Sequence, residues 1–410
     1  MHVTVQYIAK RLLDDGFEVE FVQHNAPLQF SGEMGRDDKL IVSATSDPDP
    51  FSDSIISGQY VGPVSKAMQK FSRNRYRLAL FLWPEMAIFS SAALDKLSAV
   101  RSRGPYEFVI AVEKGGLALA MKLRLNCGNP IVYYSLELYT KDHPLISFDV
   151  RMRALRRIER KYSRDVSMFV IQDDSRWDVL KRDLQLPSDS LKTLFPVSEP
   201  AEIVERSRYL RERLGLPDQS KILLYFGAVR PERGVLEIAE CADRLPDGWF
   251  LVFHGPCDDR VRRSLEKVSK REKIRLSRDM VQVRDRALLI ASADAGLAIY
   301  GETSLNDRLT GFSSEKVALY LKCGLPVIAR RNQSYSHIEA AGAGVLLDSI
   351  DDIPKAVRSI DSNLRQFSQS AQRLFFERYT FEKNVSSLLR ALGVLQSGVK
   401  ASSPGHKFLG

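Results

Sequence analysis

Short apolar runs recur along the chain, separated by stretches with helical periodicity, and this alternation constrains the fold more than any other feature. Runs at 19–22, 108–112, 130–134 and 168–171 occupy the first half. Phe195-Pro196-Val197-Ser198-Glu199-Pro200 reads as a linker, after which the pattern restarts at 222–226, 249–253, 295–299, 327–329 and 345–347. Strands alternating with helices predict parallel sheets, because a parallel pair needs a crossover between its strands. The expected fold is α/β, with two Rossmann-like domains over 1–196 and 197–380 facing across a cleft. Ligands are then expected beyond the C-terminal strand ends.

The opening is unusual for such a domain, which normally begins with a strand and a glycine-rich turn. Here Val3-Thr4-Val5-Gln6-Tyr7-Ile8-Ala9-Lys10-Arg11-Leu12-Leu13 has the look of the helix after that turn. Either a first strand precedes Met1, or the domain dispenses with it, or Val3-Thr4-Val5 is itself that strand. The expectation adopted is an upstream strand.

At 410 residues the chain suits about two or three domains. The apolar-leaning stretch from Tyr76 to Leu94 contains Arg77, Pro84 and Glu85, which argues against a membrane span. No basic segment followed by an apolar run marks the N-terminus as a secretory signal. Cys127, Cys241, Cys257 and Cys323 lack metal-ligand spacing and read as reduced thiols of a cytoplasmic protein. The formal charge of +9 suits an anionic partner without choosing one. No Walker loop, His-Glu-x-x-His or carboxylate-rich metal cluster is present.

Two segments carry the elements of a phosphate site. In Leu224-Tyr225-Phe226-Gly227-Ala228-Val229-Arg230-Pro231-Glu232-Arg233-Gly234, a strand, a glycine, two arginines and a helix start follow one another. Gly227 allows close backbone approach, and arginine forks pair with phosphate oxygens. The alternative is a surface turn with solvated arginines. In Ser313-Ser314-Glu315-Lys316-Val317-Ala318-Leu319-Tyr320-Leu321-Lys322-Cys323-Gly324-Leu325-Pro326-Val327-Ile328-Ala329, a serine caps a helix, Gly324 ends it and Pro326 precedes a strand. Lys316 near that helix start adds a cation where backbone N–H groups already favour anions. Glu315 is either part of the site or a first-turn carboxylate matched to the helix dipole.

In the first half, Gly115 and Gly116 open a helix after a strand, where either a ligand or tight packing can require them. Glu137 follows the strand at 130–134 and either binds hydroxyls or caps the next turn. Asp173, Asp174 and Ser175 read as helix caps, and His254 and His337, beside strand ends, either face the cleft or are structural histidines. Basic residues gather at Arg151, Arg153, Arg156, Arg157, Arg160, Lys161 and Arg164, and at Lys66, Lys70, Arg73, Arg75 and Arg77 before Trp83. They suit an anionic membrane surface or a solvated face; no nucleic-acid module accompanies them.

Together these segments resemble the retaining GT-B glycosyltransferases of family 4. The likeness lies in the helix followed by Gly324-Leu325-Pro326-Val327-Ile328-Ala329, in the glycine-arginine loop after Phe226, in Tyr133-Tyr134-Ser135-Leu136-Glu137-Leu138, and in Arg378-Tyr379-Thr380-Phe381-Glu382. The resemblance implies a GT-B fold, with an N-terminal acceptor domain and a C-terminal donor domain. It also implies a helix at 381–396 crossing back to the first domain, and a loose tail at 397–410. It implies a metal-independent transferase without a cofactor, moving a sugar from a nucleotide-sugar donor to a sugar or lipid-linked acceptor in cell-envelope synthesis, cytoplasmic or peripheral at the inner membrane face. Gly227, Arg230, Arg233, Ser314, Glu315 and Lys316 would bind the donor, with Arg233, Arg230 and Lys316 catalytic. Gly115, Gly116 and Glu137 would lie on the acceptor side. The chain departs from the family at three positions. Its two acids, seven residues apart, fall on Gly311 and Leu319, and its histidine falls on Leu136. A non-catalytic sugar-nucleotide-binding or partner-binding protein is therefore the alternative.

Overall fold

The computed structural model describes residues 3–24, 40–45, 89, 94–95, 97–125, 127–143, 146, 149–268, 273–277 and 281–402. The Lys66–Trp83 segment lies outside them. The chain divides into two compact units, one of 1–194 with 387–410 and the other of 195–386.

In the first unit, Val3–Asp14 forms helix α1, so the reading of Val3-Thr4-Val5 as a strand is overturned. Its apolar positions recur at helical spacing, and Ala9 and Leu13 pack on Val19 and Phe21. Strands β1 (Val19–His24) and β2 (Leu40–Thr45) pair in parallel. A separate sheet runs in the order β3 (Val109–Val112), β4 (Ile131–Tyr134), β5 (Met168–Ile171) and β6 (Lys192–Leu194), also parallel. Among the described residues, the outer edges of β1 and β3 have no strand partner. Phe17 touches Phe108 with ring centroids 5.9 Å apart, and Glu20 accepts a hydrogen bond from the Tyr106 hydroxyl at 2.7 Å. Helix α2 (Glu113–Lys122) follows β3, helix α3 (Val150–Tyr162) follows β4, and helix α4 (Asp174–Leu184) follows β5. Asp173 caps α4, accepting from the Arg176 N–H at 2.9 Å.

The second unit is a six-stranded parallel sheet. Its strands are β7 (Lys221–Phe226), β8 (Trp249–His254), β9 (Ile274–Ser277), β10 (Ala295–Ala298), β11 (Val327–Arg330) and β12 (Gly344–Leu347). In space they run β9-β8-β7-β10-β11-β12, so the chain winds outward in opposite directions from β7 and β10. The crevice above two such strands is where open α/β sheets bind ligands. Alternate residues feed two cores: Ile222 and Leu224 enter one, Leu223 and Tyr225 the other. Burial on both faces explains why these strands read as continuous apolar runs.

Helix α5 (Val235–Glu240) follows the arginine loop, and helix α6 (Glu315–Lys322) precedes β11. Gly324 ends α6 at φ +68°. The Tyr320 hydroxyl accepts from the Phe226 N–H at 3.0 Å, and its proton reaches the carbonyls of Leu224 (3.2 Å) and Leu297 (3.3 Å). A single side chain thus satisfies backbone groups where β7 and β10 part. Gly296 makes room for it, since a Cβ there would stand 2.4 Å from the Tyr320 ring.

Helix α7 (Leu364–Arg378) is followed by helix α8 (Phe381–Ser402). The latter passes the expected end at 396, because no proline interrupts the chain before Pro404. Glu199 pairs with the 379–381 segment, donating its N–H to Tyr379 and accepting from Phe381. His337 is structural: its Nε2 lies 2.7 Å from the Tyr379 hydroxyl, and burial with the Arg378 charge lowers its pKa to about 4. His254 likewise shares a hydrogen bond of 2.8 Å with Ser277.

Gly296→Ala should destabilise the protein by about 1–3 kcal/mol, the usual cost of overpacking a filled core. Urea unfolding checks this, and an unchanged midpoint would show that the Tyr320 ring moves aside freely.

Candidate functional site

At the C-terminal end of β7 the chain turns at Gly227, whose φ of +111° few other residues adopt. The loop is knitted to the one after β8: Gly227 donates to the His254 carbonyl (2.9 Å) and Val229 to that of Pro256. A Cβ on Gly255 would stand 2.3 Å from the Gly227 oxygen. Pro231–Arg233 then makes one 3-10 turn before Gly234, at φ +67°, opens α5.

This rigid loop brings Arg233 beside Tyr300, the second residue after β10, with the guanidinium 5.1 Å from the ring centroid. Ser314 caps α6, accepting from the Val317 N–H at 3.2 Å, and shares a 2.5 Å hydrogen bond with the Tyr300 hydroxyl. Lys316, in the first turn of α6, therefore projects between two aromatic rings. Its Nζ lies 4.7 Å from the centroids of both Tyr225 and Tyr300. On Gly227, a Cβ would meet this Nζ at 3.6 Å. Lys316 is 6% exposed, and its Nζ has no hydrogen-bond partner among the described residues. The tyrosine faces supply cation–π attraction, which replaces only part of the lost hydration. Burial, aided by the Arg233 charge, lowers the Lys316 pKa to about 7.

Gly227, Arg233, Ser314 and Lys316 thus come together in one unit. Arg230 is exposed on the same loop. Glu315 pairs with Arg286 at 3.6 Å. Tyr225 and Tyr300 complete the site, and sequence reasoning gave them no role; a tyrosine closing a strand is too common to single out. A neighbouring cavity of about 450 Å³ is lined by Glu232, Glu237, Glu240, Asp348, Asp351 and Arg330. Its carboxylates disfavour a diphosphate. Gly311 cannot bear an acid in this backbone, since a Cβ there would lie 1.9 Å from the Ser334 oxygen. Leu319 is buried in the core. Among the described residues no group of three or more His, Cys, Asp or Glu could hold a metal ion.

In the first unit the turn after β4 is pinned by charged side chains. Glu113, at φ +59°, accepts from the N–H groups of Leu136 (2.5 Å) and Glu137 (2.7 Å). Lys114 pairs with buried Glu159 at 3.3 Å, and buried Arg176 donates to the Leu136 carbonyl at 2.6 Å. Burial raises the Glu113 pKa, while Lys114 and the two N–H groups oppose the rise. Gly116 permits helix packing, a Cβ there meeting the Ala111 carbonyl carbon at 3.3 Å, whereas Gly115 has open space. Glu137 is exposed.

Residues 277–376 match the family described as Glucosyltransferase 3-like, C-terminal domain. No curated protein matches the chain in sequence. Among solved structures, the chain is similar to HepE of Anabaena in complex with UDP and glucose, with 11% identity, 95% of each chain covered and a TM-score of 0.65. It is similar to sucrose-phosphate synthase of Thermosynechococcus elongatus, with 13% identity over 98% of this chain and 94% of that one, at a TM-score of 0.66. It is also similar to WaaG, a glycosyltransferase involved in lipopolysaccharide biosynthesis, with 16% identity over 96% and 95%, at a TM-score of 0.58. The fold is that of the GT-B glycosyltransferases.

Lys316→Met should stabilise the protein at pH 7. The unfolded lysine titrates near 10.5 and the folded one near 7, so between those values the unfolded state holds more protons and stability rises with pH. The substitution removes that burden, a gain on the order of several kcal/mol at pH 7 that shrinks towards pH 10. Denaturant titrations of both proteins across this range check it; a variant less stable at pH 7 would contradict it.

Proposed function

We propose that the protein is a glycosyltransferase that moves a sugar from a nucleotide-sugar donor to an acceptor hydroxyl, with retention of configuration and without a metal ion. The observation that carries this reading is the meeting of Arg233 with a buried, unpaired Lys316 at the β7–β10 crevice. Two like charges held together in a partly apolar site are costly alone and favourable around an anion. The HepE structures hold UDP, or UDP-glucose, or UDP with glucose, and we carry that class of donor to this chain. In this reading Gly227 lets the diphosphate approach the backbone, and Ser314 and Glu315 begin the helix whose N–H groups face it. Arg233, Lys316 and Arg230 stabilise the departing diphosphate as charge develops on it.

The acceptor is assigned to the first unit, near Gly115, Gly116 and Glu137, and is taken to be a sugar or lipid-linked sugar of the cell envelope. Peripheral attachment at the inner membrane face would use helix α3, where Arg153, Arg157, Arg160 and Lys161 are exposed. Among the described residues no helix is long and apolar enough to cross a membrane. A second reading, donor binding without transfer, is favoured by Gly311, Leu319 and Leu136 standing where the resemblance places two acids and a histidine. A panel of nucleotide sugars, scored by thermal shift and then by turnover, separates the two. Binding without turnover on any envelope acceptor supports the second, and no binding at all removes both.

Arg233→Ala should weaken nucleoside-diphosphate binding by roughly 1.5–3 kcal/mol, the scale of a charged hydrogen bond, with little change in melting temperature. Equal calorimetric affinities would refute the assignment. In liposome sedimentation, binding should need acidic lipid and fade with salt, as exposed charges are screened beyond about 10 Å at 0.1 M. Equal binding to neutral vesicles would remove the membrane role.

A further inference from the structure

The groups facing Lys316 are unusual for a phosphate-binding lysine. From β7 comes the Tyr225 ring, from the loop after it Gly227 and Arg233, and from the end of β10 the Tyr300 ring. On its own helix the adjacent carboxylate, Glu315, pairs with Arg286. Farther out, Arg230 acts on Tyr225, and Tyr335 lies close enough to feel Tyr300 and Arg233. Nothing in this set offers Nζ a negative charge or a hydrogen-bond acceptor. A buried ammonium with a like-charged neighbour and no acceptor loses its proton readily. A diphosphate beside Gly227 reverses the balance, adding negative charge and acceptor oxygens near Nζ.

We propose that this anion site loads with a proton: above neutral pH Lys316 is neutral when no anion is bound and takes one proton from solvent onto Nζ as a diphosphate arrives. The inference rests on the donor reading above. The consequence is a donor affinity that falls as pH rises. At pH 6 the lysine already carries its proton, and binding needs no further one. Above its ordinary buried value near 7, each donor must be accompanied by a proton drawn from a falling supply. The departing diphosphate would also leave behind an ammonium prone to deprotonate, which favours product release.

The test is calorimetric titration of the full chain with UDP-glucose at pH 6 and pH 8, in two buffers of different ionisation enthalpy. The probe's diphosphate is esterified at both ends and fully ionised throughout, so any proton counted belongs to the protein. Expected are nearly one proton taken up per donor at pH 8, about a tenth of one at pH 6, and affinity about tenfold weaker at pH 8. Lys316→Met should show no uptake and no change in affinity between these pH values, binding more weakly than the natural protein at pH 6 with the gap narrowing at pH 8. Lys316→Arg, whose charge does not titrate, should bind without uptake at both. Donor binding without proton uptake at pH 8, or uptake that survives in Lys316→Met, overturns the proposal and leaves the donor reading standing. Failure of UDP-glucose to bind at either pH sinks the donor reading and this inference with it.

Discussion

The second unit depends on how β7 and β10 are held together at the point where their crossovers diverge. A parallel pair has no turn to fix it, and at the strand ends its backbone groups lose their ladder partners. The Tyr320 hydroxyl supplies partners to both strands, reaching Phe226, Leu224 and Leu297. It reaches them only because Gly296 carries no side chain. The same helix presents Lys316 one turn earlier. Holding the sheet and presenting the cation are therefore one event: the docking of α6 on two strands sets both.

Both ends of that short helix carry buried lysines with opposite fates. Lys322 is 4% exposed and meets Glu202 at 3.1 Å and Glu199 at 3.8 Å, so its charge is compensated by the chain. Lys316 is similarly buried and receives only aromatic faces and another cation. What distinguishes the two lysines is therefore the presence of a carboxylate, not their burial. The first unit follows the structural pattern, with Lys114 placed against Glu159.

Much of the fold was legible because parallel strands buried on both faces are written as uninterrupted apolar runs. The strand at 168–171 has the same limits in sequence and structure. Three strands escaped for separate reasons. Lys192–Leu194 is too short to show a period. Ile274–Ser277 alternates with charge inside a basic stretch that reads as continued helix. Leu40–Thr45 ends in small polar residues. At the site, Arg233 and Lys316 were legible as cations at helix starts. Their meeting was not, since it depends on strands far apart in sequence becoming neighbours. The roles of Tyr225 and Tyr300 follow from that same adjacency. So does the exclusion of an acid at Gly311, which comes from the Ser334 carbonyl and leaves no mark on the local sequence.

The second unit begins and ends at one seam, where Glu199 pairs with the backbone around Thr380. During synthesis the first strand of that seam must wait for nearly the whole unit before its partner leaves the ribosome. The central pair β7–β10 waits as well, since β8 and β9 are made between them. Contacts of such separation slow folding, because chain entropy is lost before they form. Residues 387–410 group with the first unit, so that unit also receives its last segment only after the second has been made. The chain is nested, one unit enclosed within the sequence of the other. A stall in translation anywhere between Glu199 and Thr380 would leave both units incomplete.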